Sequence, residues 1–288
     1  MTQTAISTID QEVKLDEVLA VEISARVQRL REVLLRGKTG ISIDRARIET
    51  RVMQATEGEP IVTRRAKVFA AIVREMPIDI YPDELIVGCF SGKPRCWNVS
   101  PSEGPQLEKT LSSANPRKGA TRLKGIFKAD HWDATTLTDD EKRELTEDLI
   151  PYWKGEGNYE QTMAGRNYLD IKDRRSQHVG HNCVDYRKVL EKGFLGIKKD
   201  AEDRLARIDL GNPEYAGKVP FLEGVILDMA SAAELGNRFA VRARELAAIE
   251  VDASRKTELL GIAEVCQQVP AHPARTLHEA VQSYFFTW

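Results

Sequence analysis

Apolar residues recur every three or four positions along much of this chain, and the places where that rhythm stops divide it into elements. Between Val21 and Arg36, Val27, Leu30, Val33 and Leu34 keep helical spacing, and Gly37 ends the run. A second helix is predicted over about Asp44 to Glu57, started at Ile43 and Asp44 and stopped by Gly58 and Pro60. A third covers about Val62 to Glu75, with Ala66, Phe69, Ala70 and Val73 as its apolar face and Pro77 after its end. Its Arg64, Arg65, Lys67 and Arg74 are left for solvent or a partner surface. Leu85, Ile86 and Val87, bounded by Pro82 and Gly88, read as a short buried strand. Thr138 with Glu141 three residues later forms a capping-box signature, opening a helix through Leu149.

The last third is the most regular. Helices are predicted over Asp185 to Ile208, Phe221 to Ile249, Ala253 to Gln268 and Ala274 to Trp288, with Pro270 and Pro273 separating the final two. Tyr284, Phe285, Phe286 and Trp288 crowd the last of these, and a helix that is apolar all round has to be buried. Left uncovered, such a surface predicts association.

Two stretches lack any period. Ser100 to Asp133 is rich in Pro, Gly, Ser and Lys, which predicts an irregular excursion over the surface. Pro151 to His181 is equally non-periodic, and loops of that length in a compact domain are usually functional or packed against something else. Residues 1–20 read as a flexible tail and 21–288 as one unit, with no repeat of fixed period and no low-complexity tract. The fold class is a mainly α fragment with one or two short strands.

Composition narrows the function classes. A hydrophobic content of 42% beside 30% charged residues is that of an ordinary globular protein. The net charge of −2, with both signs interleaved, supplies no basic stripe for a phosphate backbone, so no nucleic-acid partner is expected. The first twenty residues lack a basic end followed by an apolar run, and no window approaches roughly 18 apolar residues. A cytoplasmic protein with no membrane partner is the expectation. Cys89, Cys96, Cys183 and Cys266 form no CxxC pair, so reduced thiols are expected rather than a zinc site or disulfide framework.

Three blocks carry a resemblance. The first runs from Ile41 to Arg95 and contains Asp44-Arg45-Ala46-Arg47, Glu57-Gly58-Glu59-Pro60, Arg64-Arg65-Ala66-Lys67, Glu84 to Gly88 and Pro94-Arg95. The second is His178 to Tyr186 followed by Lys188-Val189-Leu190 and Gly193; the third is Pro273-Ala274-Arg275-Thr276 with Glu279-Ala280 and Gln282. Together they resemble the N-terminal part of the pyruvate formate-lyase-like glycyl radical enzymes. The similar branch contains glycerol and diol dehydratases, choline lyase, isethionate lyase and arylacetate decarboxylases.

The resemblance implies the N-terminal helical part of a ten-stranded α/β barrel, incomplete at the C-terminus, with this chain supplying outer helices and one wall of the substrate pocket. It also implies thiyl-initiated radical cleavage of a C–O, C–N, C–S or C–C bond in a small molecule, with dehydratase-like elimination slightly favoured. In the family an S-adenosylmethionine-dependent iron-sulfur activating enzyme places the radical on a glycine, and that glycyl radical generates a cysteine thiyl. The cysteine lies in a GCxE-like loop and the glycine in an RVxGY-like segment; neither occurs in these 288 residues. The chain alone is therefore expected to be inert, as a truncated frame or a split subunit, and to bind no cofactor directly. Expected partners are the small-molecule substrate, the activating enzyme and, at full length, a second copy. Two alternatives remain open: an arylacetate decarboxylase or fumarate-adding synthase on the same scaffold, and a non-catalytic binding or assembly subunit.

His181 is the main catalytic candidate. By resemblance it matches a histidine that hydrogen-bonds a substrate hydroxyl, and an imidazole near neutrality can donate a proton to a poor leaving group. The alternative is a histidine that caps the helix beginning near Asp185. His178 and His181 make an HxxH pair, but two ligands do not make a metal site, so no metal is expected. Arg174 and Arg175 carry guanidinium forks suited to an anionic substrate, or else belong to a solvated cluster with Asp170 and Asp173. Asp185 and Tyr186 are candidate substrate contacts, with Asp185 reading equally as an N-cap. Cys89, in Gly88-Cys89-Phe90, superficially resembles the thiyl loop, but its place in the early block makes it scaffold.

Overall fold

A computed structural model describes residues 23–36, 40–91, 96–98, 137–153, 184–212, 215 and 217–287. The chain forms two compact units, Met1–Gly37 and Lys38–Trp288. In the first, helix α1 (Ala25–Arg36) realises the predicted period, and its Val27 and Val33 are exposed. Among the described residues, no helix is long and apolar enough to cross a membrane.

The second unit is built mostly from helices, as the apolar spacing predicts. Strand β1 (Gly40–Ser42) pairs in parallel with β2 (Cys96–Asn98), Ile41 opposite Trp97, and all three residues of β1 are buried. Helix α2 (Asp44–Ala55) follows at once. Ser42 Oγ accepts from the Asp44 N–H at 3.1 Å and donates to its carboxylate at 2.7 Å, fixing the strand-to-helix turn. Helix α3 (Ile61–Glu75) packs back against α2. Arg64 Nη2 reaches over to the Met53 carbonyl at 2.7 Å, supplying a donor where α2 runs out of its own.

Thr138 opens helix α4 (Asp139–Glu144) with the predicted capping box: its Oγ1 accepts from Glu141 N–H at 3.1 Å while its own N–H donates to Glu141 Oε2 at 2.8 Å. The predicted end at Leu149 is passed. A π-helical stretch, Leu145–Leu149, runs on into α5 (Ile150–Trp153), turning Leu145 and Leu149 onto a small core with Ile41, Ile43, Ala46 and Leu137. Trp153 anchors the far end by donating from Nε1 to Thr50 Oγ1 at 2.8 Å.

Helix α6 (Tyr186–Leu205) and the 32-residue α7 (Lys218–Ile249) follow, then α8 (Ala253–Gln268) and α9 (Leu277–Thr287). The long helix is central, packing on α3, α6 and α8. Its small residues allow this: Ala232 and Ala233 meet Val189 and Phe194 of α6, while Phe239, Ala240 and Ala243 join Val73, Val87 and Ile262 in the main core.

Leu85, Ile86 and Val87 form no strand, contrary to the sequence expectation. The Val87 N–H and C=O are instead taken by the side-chain amide of Gln282, at 2.9 and 2.6 Å. A glutamine has one donor and one acceptor side by side, so it completes the two bonds that a neighbouring strand would have made. Only Val87 of the three is buried, Leu85 being exposed, so the apolar triplet predicted neither the burial of all three nor who satisfies the backbone.

Candidate functional site

Of the residues singled out from sequence, His181, Arg174 and Arg175 lie outside the described residues, and so does Cys183. Asp185 and Tyr186 stand at the start of α6. The Asp185 side chain accepts from the Lys188 N–H at 3.1 Å, the N-cap arrangement that satisfies a backbone donor with no partner inside the helix. The Tyr186 ring lies against that of Tyr284 on α9, centroids 4.5 Å apart and planes tilted by 33°.

That contact is one of two anchors on α6. Eight residues into the segment from Asp185, Gly193 breaks the helix with φ 65°, ψ 168°, a conformation essentially reserved for glycine. The break turns the Phe194 and Leu195 N–H groups onto the carbonyls of Pro270 and Ala271, at 2.9 and 3.0 Å, and Ala274 N–H returns to Leu190 O at 3.1 Å. The loop that leads into α9 is thereby threaded across the kink. No side chain fits there: a Cβ on Gly193 would meet the Ala271 carbonyl and lie 2.6 Å from His272 Cα. The second anchor, Tyr284, then lands on Tyr186. The start of α6, five residues after His181, is fixed from both sides.

On its other face α9 holds the irregular segment 77–91, which closes on itself with an antiparallel bridge between Asp79 and Cys89 and is pinned further by side chains from other elements. Arg238 of α7 holds the end of α3 just before it, donating to the carbonyls of Val73 and, at 2.6 Å, Met76, and within the segment Arg242 bonds Asp79 at 3.0 Å. Arg255 of α8 donates to Glu84 O at 2.9 Å and Tyr81 O at 3.3 Å, and His278 of α9 donates from Nε2 to Leu85 O at 3.2 Å. Gln282 takes Val87, and Asn98 Nδ2 takes Phe90 O at 2.6 Å. Phe285 closes over Gly88, where a Cβ would stand 2.7 Å from the ring.

The electrostatics of this segment are those of a scaffold. Burial raises the pKa of the Cys89 thiol, with the hydrogen bond to Tyr81 acting in the opposite direction. Burial likewise raises Glu84, against which the Tyr81 N–H, donated at 2.8 Å, and the charge of Arg255 pull downward. Tyr81 itself is raised, by burial first and then by Cys89, and its hydroxyl donates to Ser91 O at 3.0 Å. Cys266 in the main core is pushed up to about 12 by burial alone. Thiols held in the protonated form are poor nucleophiles and poor metal ligands, and no group of three or more metal-ligating side chains occurs among the described residues.

The sequence expectation for α9 is corrected in one respect. The helix buries Glu279, Gln282 and Ser283 while Tyr284 and Phe285 stay about half exposed and Leu277 is 81% exposed; Phe286 packs inward on Phe239, at 5.3 Å. Glu279 is buried because Arg275 pairs with it at 2.6 Å and its own helix start donates to it, which together hold its pKa below the ordinary value. Hydrophobicity marked these positions but could not assign faces, since Gln282 is buried by a partner 195 residues away and Glu279 by an ion pair with Arg275 one turn before it.

Sequence reasoning passed over Asp228 altogether. It sits on α7 one turn beyond Gly224, has a buried Oδ1 with no hydrogen-bond partner among the described residues, and is pushed up to about 6 by burial. No periodicity argument signals it, because a lone acid in an amphipathic helix ordinarily faces solvent.

Against known proteins, the family model described as pyruvate formate lyase-like matches residues 16–288. The isethionate sulfite-lyase of Desulfovibrio desulfuricans is 34% identical over 281 residues, covering 91% of this chain and 32% of that protein. The trans-4-hydroxy-L-proline dehydratase of Clostridioides difficile is 28% identical, covering 91% and 33%. Among solved structures, the glycerol-bound B12-independent glycerol dehydratase of Clostridium butyricum superposes with a TM-score of 0.80 at 30% identity, over 91% of this chain and 33% of that one. The chain spans about a third of the length of the curated relatives it matches.

Proposed function

The chain belongs to the pyruvate formate lyase-like family, and from that premise we propose that it is the N-terminal portion of a glycyl radical lyase or dehydratase. The observation that carries the reading is the continuous match over residues 16–288, together with a helical framework that superposes on a third of a glycerol dehydratase. In this reading the whole enzyme cleaves a C–O, C–N, C–S or C–C bond of a small molecule, and its radical is installed by an S-adenosylmethionine-dependent activating enzyme. The motifs that hold the thiyl and the glycyl radical do not occur in these 288 residues, so no radical step is assigned to them, and the chain by itself is proposed to be inert.

What this chain contributes is a proton donor and its support. His181 donates to the substrate oxygen as it leaves, and Arg174 and Arg175 supply charge for an anionic substrate. Asp185 caps α6 at its start, and Tyr186 is held by Tyr284. We further propose a cytoplasmic homodimer at full length.

Reading the coding DNA past codon 288 tests the assignment: a continuing frame, or a neighbouring gene, with GCxE and RVxGY segments is expected, and a stop codon with no such gene would overturn it. Anaerobic activation of the assembled protein should then give a glycyl radical by electron paramagnetic resonance. The 288-residue chain treated alone should give none. A second reading, that of an assembly subunit, is favoured by the exposed Leu277, Val281, Tyr284 and Phe285 on α9; it requires a stable complex that forms without any radical. Decarboxylation of an arylacetate is distinguished by release of carbon dioxide.

A further inference from the structure

We draw no further inference here: the strongest candidate, the outward apolar stripe of α9 formed by Leu277, Val281 and the exposed halves of Tyr284 and Phe285, is a helix face for which nothing among the described residues shows what would cover the rest.

Discussion

Replacing Gln282 tests the idea that a side chain stands in for a strand. The amide is fully buried and makes two bonds to Val87, 2.9 Å as acceptor and 2.6 Å as donor. Gln282→Leu keeps the volume and removes both, leaving a buried N–H and a buried C=O unpaired. At about 1–3 kcal/mol for each of the two unsatisfied groups the loss is about 2–6 kcal/mol, a large part of the roughly 5–15 kcal/mol that holds a domain together. Urea unfolding of the 288-residue chain, followed by far-ultraviolet circular dichroism, reads this as a lower midpoint at unchanged slope. Gln282→Glu is the sharper variant. Ionised, it still accepts from Val87 N–H but sets a second oxygen against Val87 O; protonated, it donates as the amide does. Its native-state pKa therefore lies above the unfolded value near 4.3, the native state binds the extra proton, and stability falls as pH rises through the native pKa. The penalty relative to the unsubstituted chain should shrink steadily between about pH 8 and pH 5. A Leu variant within about 0.5 kcal/mol of the unsubstituted chain, or a Glu penalty that does not change with pH, would refute the reasoning.

Three further outcomes are expected. Asp228, pushed up to about 6 by burial, binds a proton in the native state that the unfolded chain releases near 3.9, so stability should fall as pH rises from 4 through 6. The full difference is about 3 kcal/mol, reduced to about 1–2 for a half-buried group; Asp228→Asn should be more stable by that amount at pH 8 and lack the slope, and lower stability at pH 8 would count against the unpaired carboxylate. Gly193→Ala should cost about 2–4 kcal/mol, from both backbone strain and overlap with His272. Gly58→Ala, at φ 86° with nothing within 4 Å, should cost only about 1 kcal/mol, and equal urea midpoints for the two variants would remove the role assigned to the threaded loop. Thr138→Ala should cost about 1 kcal/mol through loss of the capping box, with Thr138→Ser restoring most of it.

The helices were legible where one face is apolar and the ends are marked by local chemistry. α2, α3 and α8 begin and end within about two residues of the positions that Gly58, Pro60, Pro77 and Pro270 indicate. The Thr138–Glu141 box was readable because both partners lie within one turn. What could not be read is whatever depends on distant partners. Leu85 to Val87 read as a strand because three apolar residues in a row are local information, whereas only Val87 is buried and the amide that satisfies it lies 195 residues away. The break at Gly193 was invisible inside a periodic stretch because nothing local shows the 270–274 loop crossing it. For the candidate site, the capping role of Asp185 was readable from spacing alone, while the support of Tyr186 by Tyr284 required the fold.

The pinning of segment 77–91 by Arg242, Arg255, His278 and Gln282 has a consequence for the order in which this chain acquires structure. Beyond its own Asp79–Cys89 bridge and local bonds, this segment's side-chain pins lie on three helices about 160 to 195 residues further on. Its loop-closure entropy is recovered only once those helices have docked, so it belongs among the last parts to consolidate and the first to exchange. The Val87 amide proton, donated to a side chain and not to a backbone neighbour, is then a single-residue clock for the lifetime of the α9 contact.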